Sequence, residues 1–477
     1  MQEDNYKEIK NVKKVISVAL LASIISMNFL PVFASENKTQ TTKQPQQLKS
    51  TVKKSKNTKK SDDYKYAYVN MAWWDNFNDS NLSNYINKAI KNNYDLKMAT
   101  IAVEEYYQNT KAQFANELPQ IGVGFAPYYT KFPNEGWDWG FATPAYVNYE
   151  ADIFLKNRDK TKAVKKLYEA SQFDERAAYI AVAGAVGTTY LNIVRLNKII
   201  DLQKQIVDLR QEIYNLMLAS NKEGLVSTAD TVKANKALVA GQTDLIELQK
   251  QHKQLLHSFA VLIGESPDNI DEFKFTPYEE ISFTGTIPKE ISSEIIDQRP
   301  DYLKAEKMVE KAGIDVRVAK KEFLPSINLT GIALFNSTEF GSAWSTGSML
   351  GTLAAGAMLP LFTGGRRIAN LKLKKATYER ILQDYYKTNL TAIQEINDAL
   401  VAVKMDKQKM TETEKQAKLE REDFGYNEKR FNQGTISKLD LIQVKENLLS
   451  IDKLVAQQNI ECMVDYIGLY KAVGSKL

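Results

Sequence analysis

The sequence predicts an α+β membrane protein in which long antiparallel helical hairpins are joined to four β-strands, with one structural unit used twice. Three observations support this prediction. Sequence landmarks recur at a nearly constant spacing, apolar residues follow a coiled-coil period over long proline-free segments, and four short segments alternate between polar and apolar residues. A mean hydropathy of -0.38 excludes a bundle of apolar membrane helices.

The first 34 residues have the pattern of a secretory signal peptide. Four lysines between Lys7 and Lys14 precede an apolar run from Val15 to Leu30, and small residues follow, with cleavage expected after Ala34. The apolar run is shorter than the ~20 residues of a spanning helix, although an uncleaved anchor helix is the alternative. No later stretch was expected to span a bilayer as a helix, so membrane entry would have to use strands.

Residues 35–68 are rich in Lys, Thr and Gln and are predicted to form a disordered tether. Eight lysines and no acids lie between Lys38 and Lys60, and the net charge is +5, so the rest of the chain carries −3. This balance and the lack of interleaved aromatics argue against a nucleic-acid partner. One cysteine and two histidines leave no material for a disulfide framework or a Cys-rich metal site, and no cofactor is expected.

The chain repeats itself with an offset that drifts from 206 to 210 residues. Leu118-Pro119 corresponds to Leu324-Pro325, and Gly224 corresponds to Gly434. Between them, residues 154–158 correspond to 362–366. The predicted repeats are residues 69–275 and 276–477.

Each repeat has the same predicted order of elements. A helix of roughly 25–35 residues leads to Leu-Pro, where proline stops it, and two strands, a very long helix, a glycine turn and a second long helix follow. The first long helix is expected from Asn157 to about Asn221, which would be roughly 95 Å long. The predicted strands are Gln120–Lys131, Phe141–Phe154, Ser326–Phe335 and Met349–Phe362.

Alternation along the second strand places polar and apolar residues on opposite faces. Asn148, Glu150 and Asp152 share the polar face, which predicts a water-filled lumen on that side and lipid on the other. Aromatic residues crowd the strand ends, as in an interfacial girdle, although a sandwich with an aromatic core would also contain them.

The long helices carry coiled-coil seams, with one exception. Ile199, Leu202 and Ile206 lie in a seam of the first long helix, whereas the residues 210 positions later are Lys409, Glu412 and Gln416. We therefore expect the second hairpin to be less firmly packed than the first.

Four strands cannot close a barrel, and an open strand edge is not tolerated in lipid. Several chains must therefore share one transmembrane barrel. Since the hairpins leave from the same ends of the strands, a shared barrel would gather the helices below it into a tunnel.

Four sequence motifs, in the order in which they occur along the chain, resemble those of one known family. The resemblance extends over roughly residues 70–475. The chain resembles the TolC-like outer-membrane efflux protein family. This resemblance implies a homotrimer with a twelve-stranded barrel in the outer membrane, a periplasmic helical tunnel, and a periplasmic adaptor protein and an inner-membrane transporter as partners. The motifs are Gln298-Arg299-Pro300-Asp301, Phe323-Leu324-Pro325-Ser326-Ile327, the stretch from Leu359 to Arg367 containing Gly364-Gly365, and the stretch from Arg430 to Asp440 containing Gly434.

The resemblance also implies a constriction at the periplasmic tips of the second hairpin. It places Leu439, Asp440 and Gln443 there, with Gln443 standing where the family has a second acidic residue. Phe431 stands where a well-known member has a tyrosine that holds the tip closed. For Asp440 the alternative is a solvated carboxylate at a helix N-terminus. Gly224 and Gly434 are assigned to the hairpin bends.

The leading functional hypothesis is a passive outer-membrane exit duct for small molecules, part of a tripartite efflux system. A channel for type I protein secretion is an alternative within the same class. A non-conducting trimeric coiled-coil surface protein is a second class, and an exported enzyme is a third. No nucleophile–base pair, metal-ligand spacing or phosphate loop is found in the sequence.

Overall fold

The computed structural model describes residues 72–132, 136–285, 287, 291, 293–342 and 344–474. The predicted leader and the whole of the predicted tether lie outside these residues. The helices are α1 Ser80–Asn92, α2 Tyr94–Ala115, α3 Lys156–Lys222, α4 Thr228–Ile263, α5 Pro300–Lys321, α6 Arg366–Asn432 and α7 Lys438–Val473. The strands are β1 Gln120–Val123, β2 Ala126–Phe132, β3 Gly136–Ala151, β4 Ser326–Ser337 and β5 Met349–Met358.

The duplication is confirmed at the level of element lengths. Helices α3 and α6 both have 67 residues, and α4 and α7 both have 36 residues. Helices α2 and α5 both have 22 residues. The predicted helix of 25–35 residues before Leu-Pro is too long, because in the first repeat Asn93 ends α1 and its side chain caps α2 by accepting a bond of 3.0 Å from the amide of Leu96.

The helices pack side by side. Helix α3 packs on α2 and α5 near the strands, and on α4 and α7 towards the hairpin tips, while α6 packs on α5 and α7. The two hairpins meet where Leu202 and Ile206 of α3 contact Leu449 of α7. Near this contact, Gln203 is buried and bonds to both neighbours, donating to the carbonyl of Gly241 at 2.9 Å and accepting from Lys453 at 2.7 Å.

The main hydrophobic core lies near the middle of α3. There α1, the end of α4 and the end of α7 converge on Tyr190, which is fully buried. The Tyr190 hydroxyl donates to Asp79 at 2.8 Å and accepts from the amide of Thr276 at 3.0 Å. This network ties the start of the described chain and the segment between the repeats to α3.

The second hairpin differs from the first in how its buried residues are divided between its two helices. Twenty residues of α3 are buried and only five of α6, and Lys409, Glu412 and Gln416 are exposed as expected. However, thirteen residues of α7 are buried and eight of α4. The difference therefore follows position in the layer: α3 and α7 each have helices on both sides, whereas α4 and α6 lie at the edges.

The strands form one antiparallel sheet in which β1 and β2 pair with the same edge of β3, followed by β4 and β5. The break between β1 and β2 faces Pro144, which has no amide hydrogen to donate, while Gly124 donates to the Pro144 carbonyl at 2.8 Å. Strands β1 and β2 are thus one interrupted strand. Among the described residues, the outer edges of β1/β2 and of β5 pair with no other strand.

The strand bounds differ from the prediction in four places. The first predicted strand is split, and β3 begins at Gly136, so that Trp137 and Trp139 lie in the strand and contact Tyr129. Strand β3 ends at Ala151 and β5 at Met358, both earlier than expected. The long helix α3 and strand β4 are confirmed to within two residues.

One sequence-based statement is wrong. Among the described residues, α3 contains an 18-residue window with a mean hydropathy of 1.5, which is long and apolar enough to cross a membrane. Half of that window is buried inside the protein, so it is weak evidence for a membrane crossing. A helix that packs against neighbours on both sides has the same composition.

Tyr190→Phe tests the core network. Removing the hydroxyl leaves Asp79 and the Thr276 amide short of a partner in a buried site, which costs about 1–3 kcal/mol. We expect a lower thermal midpoint for the detergent-solubilised protein, measured by circular dichroism at 222 nm. Tyr426→Phe is the control, since Tyr426 is 64% exposed; equal midpoints for the two variants would contradict the assignment.

Candidate pore constriction and lumen surface

The tip of the second hairpin is a five-residue connection between α6 and α7. Gly434 has φ of 73°, a left-handed conformation that residues with a β-carbon rarely adopt. The amide of Gly434 donates to the carbonyl of Phe431 at 2.8 Å, and the amide of Thr435 donates to that of Arg430 at 2.9 Å. These bonds satisfy the carbonyls at the end of α6 and reverse the chain.

Asp440 forms a reciprocal capping box with Ser437 at the start of α7. Its Oδ2 accepts from the Ser437 hydroxyl at 2.7 Å and from the Ser437 amide at 3.1 Å, while the Asp440 amide donates to the Ser437 hydroxyl at 3.2 Å. The side-chain and backbone hydrogen bonds from Ser437 lower the pKa of the Asp440 carboxyl. This exposed carboxylate is therefore ionised at neutral pH.

The first hairpin tip has the same geometry, with Gly224 at φ 73° and a capping box between Ser227 and Asp230. The capping role of Asp440 is thus common to both repeats, and a role in a constriction would be additional to it. Leu439 is half-buried, and Asp440 and Gln443 are exposed one helical turn apart. The structure brings these three residues together on one face of α7.

The tips are held beside each other by charged contacts that the sequence analysis did not identify. Arg210 of α3 donates to Glu446 of α7 at 2.6 and 2.8 Å, and Lys438 forms an ion pair with Glu212. Phe431 is half-buried on α6 beside its own bend. No periodicity signals the Arg210–Glu446 pair, because its partners belong to different repeats.

The predicted water-filled lumen concerns the polar face of the sheet. In the register of β3 and β4, Asn148 lies opposite Thr330 and Glu150 opposite Asn328, so polar residues share one face across two strands. Asp152 is different, because β3 ends at Ala151. Its carboxylate caps α3, accepting from the amides of Asn157 at 3.0 Å and Arg158 at 2.8 Å. The assignment of Asp152 to a strand is therefore wrong.

The motif Gln298-Arg299-Pro300-Asp301 has a structural explanation. Arg299 is buried and bonds to Asp301 at 2.7 and 3.0 Å and to Glu395 of α6 at 2.6 Å. It also donates to the carbonyl of Ala472 at the end of α7. One guanidinium thus joins the beginning of α5 to α6 and α7.

A family model described as outer membrane efflux protein matches residues 85–265 and 291–475, which is more than half of the chain and contains both repeats. The chain belongs to this family. It is similar to the antibiotic efflux pump outer membrane protein ArpC of Pseudomonas putida, with 25% identity over 86% of each chain. It is also similar to the cation efflux system protein CusC of Escherichia coli K12, with 23% identity over 85% of this chain and 89% of that protein.

Solved structures agree on the fold. The Campylobacter jejuni CmeC outer membrane channel superimposes with a TM-score of 0.78 at 24% identity, over 85% of this chain and 88% of that one. VceC of Vibrio cholerae gives a TM-score of 0.74 at 20% identity, over 85% and 99%. The predicted fold class, outer-membrane location and efflux function are therefore confirmed for this efflux protein. ArpC is described as the outer membrane protein of an efflux pump, and CmeC as an outer membrane channel.

Ser437→Ala tests the capping box. Loss of a serine cap costs about 1 kcal/mol, so amides in the first turn of α7 should exchange with solvent about fivefold faster. The ionised Asp440 carboxylate supports the cap above its unfolded pKa near 3.8, and this support disappears as the pH falls through the lowered folded pKa. Hydrogen exchange by mass spectrometry measures the effect, and Ser227→Ala should produce the same change at the other tip. Unchanged exchange in both variants would refute the cap.

Proposed function

We propose that three copies of this chain form one passive exit duct, which carries small molecules from an inner-membrane pump through the periplasm and across the outer membrane. The observation that supports the proposal is that the outer edges of β1/β2 and of β5 pair with no strand in the described part of the chain. In a bilayer, every exposed amide and carbonyl on β1/β2 and β5 would cost several kcal/mol, and pairing with neighbouring copies removes that cost.

The edges of the helical layer also support side-by-side assembly of copies, as the edges of the sheet do. At one edge, Tyr94, Met98 and Ile101 of α2 are 59–67% exposed, and Ile246 of α4 is 66% exposed. At the other edge, the side chains of α6 that are 51–68% exposed include Tyr386, Leu390, Val401, Leu419 and Tyr426. Large apolar side chains in this number, on helices that pack on one side only, indicate surfaces that a neighbouring copy covers.

Within the duct, the second hairpin tips would form the narrowest point. Three copies of Asp440 around the axis would hold carboxylates close to one another and favour cations, with Gln443 and Leu439 completing the ring. Asn148 and Glu150 would line the barrel lumen. A periplasmic adaptor protein and an inner-membrane transporter would engage the helical end, where Gly224 and Gly434 set the bends of the two hairpins.

The cargo is proposed as small molecules because relatives at similar distance are named for antibiotic, toluene and cation efflux. Relatives of this chain are thus named for chemically different cargoes. A toxin and drug export protein of Aggregatibacter actinomycetemcomitans is 23% identical over 80% of this chain, which keeps protein export as the second candidate.

The number of protomers in the proposed assembly is tested by measuring its mass. Native mass spectrometry of the detergent-solubilised mature protein should give three protomers, and insertion into a planar bilayer should give stepwise conductance. A monomer that stays in solution without detergent would overturn the proposal. A stable trimer that gives no current would favour the non-conducting surface protein instead.

Asp440→Asn tests the constriction. Removing three carboxylates should lower the cation-to-anion permeability ratio by about twofold or more, as measured from reversal potentials in a KCl gradient. Asp230→Asn removes the same capping carboxylate from the first hairpin and should leave selectivity unchanged. Ser437→Ala separates the two roles of Asp440, because it removes the cap and keeps the charge. Equal selectivity in Asp440→Asn and Asp230→Asn would exclude Asp440 from the constriction.

A further inference from the structure

Positive charge is concentrated where the helices leave the sheet. Residues 156–166, 317–321 and 366–375, which we call the basic belt, contain fourteen Lys or Arg residues and one acid. The chain outside the Lys-rich segment 38–60 carries a net charge of −3, so this is a local segregation of charge.

The three segments of the belt are neighbours in the fold. Lys321 bonds to Asp159 at 2.8 Å and to the carbonyl of Leu155 at 3.0 Å, which joins the second segment to the first. Asn370 donates at 2.9 Å to Glu322, the acid that directly follows the second segment, and so places the third segment beside the second. The belt therefore runs across α3, α5 and α6 at one level.

The single acid of the belt does not offset its surface charge. Asp159 is 5% exposed. Burial acts to raise the pKa of its carboxyl, but the hydrogen bond from Lys321 and the positive charges of Lys321, Arg317 and Lys162 lower that pKa overall. In contrast, Arg366, Lys372 and Lys375 are exposed, and in the part of the chain that the structure describes none of them forms an ion pair within 4.0 Å.

A collar of exposed apolar residues lies between the belt and the sheet. Phe154 and Leu155 are 37% and 46% exposed, Phe323 and Leu324 39% and 41%, and Leu361 and Phe362 89% and 83%. Large apolar side chains next to lysine and arginine match the order of environments at a membrane surface, from acyl chains to headgroups.

The opposite end of the sheet has the reverse character. Its strand ends and connections, residues 128–140 and 337–348, contain three acids and a single basic residue, Lys131, together with exposed Trp137 and Trp344. From Phe141 to Ala151, ten strand steps of about 3.3 Å at a tilt of about 45° span roughly 23 Å, close to the apolar band of about 25 Å in outer-membrane barrels. The aromatic end and the collar are thus separated by one hydrocarbon layer.

We propose that the basic belt binds the anionic phospholipid headgroups of the periplasmic leaflet, and that this contact fixes the depth and orientation of the duct. The inference rests on the proposed placement of the sheet in the outer membrane with the helices in the periplasm. Lys and Arg near a membrane surface attract anionic lipid, and the attraction is screened by salt.

The test uses the full-length assembled protein in nanodiscs that contain equal amounts of phosphatidylglycerol and phosphatidylcholine. Native mass spectrometry should show phosphatidylglycerol retained over phosphatidylcholine by about fivefold or more at low salt, with a smaller ratio in 0.5 M salt. The triple variant R366Q/K372Q/K375Q should bring the ratio close to one. Added inorganic phosphate should not change the ratio if the ligand is a bilayer lipid, and displacement by millimolar phosphate would overturn the lipid assignment.

The matched control removes three exposed lysines from the lower part of α6, as K404Q/K407Q/K418Q. It should retain the wild-type lipid ratio. An equal decrease in both triple variants, or no lipid preference in the wild type, would overturn the proposal. Failure of the belt is distinguishable from failure of the duct, because a variant that still assembles and conducts without lipid preference refutes only the belt.

Discussion

The unpaired edges of one small sheet constrain the rest of the structure. Among the described residues, the five pieces of strand leave β1/β2 and β5 with an unpaired edge, whose backbone groups lipid cannot satisfy. The same chain carries edge helices, α4 and α6, with large apolar side chains facing outward. The proposed neighbouring copy on each side would satisfy both features. A layer of helices fits that proposal, because its two edges remain open to neighbours.

Much of the fold could be predicted because the landmarks are local. Leu-Pro, Gly224 and Gly434 each act through their own backbone, and so the ends of α2 and α5 and the two hairpin bends could be placed within a few residues. The position of a helix in the layer is not local. The exposed Lys409, Glu412 and Gln416 suggested a loose hairpin, whereas α6 is exposed because it lies at an edge.

The candidate site was predicted less completely than the fold. Asp440 was placed at the start of a helix, and the capping box with Ser437 supports that local reading, but Asp230 makes the same box. Asp152 fitted the alternation of a strand, yet its carboxylate caps α3. The basic belt is not visible in the net charge of the residues outside the Lys-rich segment. That sum averages a positive zone with acidic regions elsewhere.

The equal lengths of the two hairpins have a mechanical consequence. Since α3 and α6 have the same number of residues, and α4 and α7 do also, the two bends lie the same number of helical residues from the sheet. One inserted residue in either copy would shift its bend by about 1.5 Å and rotate the helix beyond it by about 100°. Evolution could therefore lengthen this conduit only by changing both copies in step.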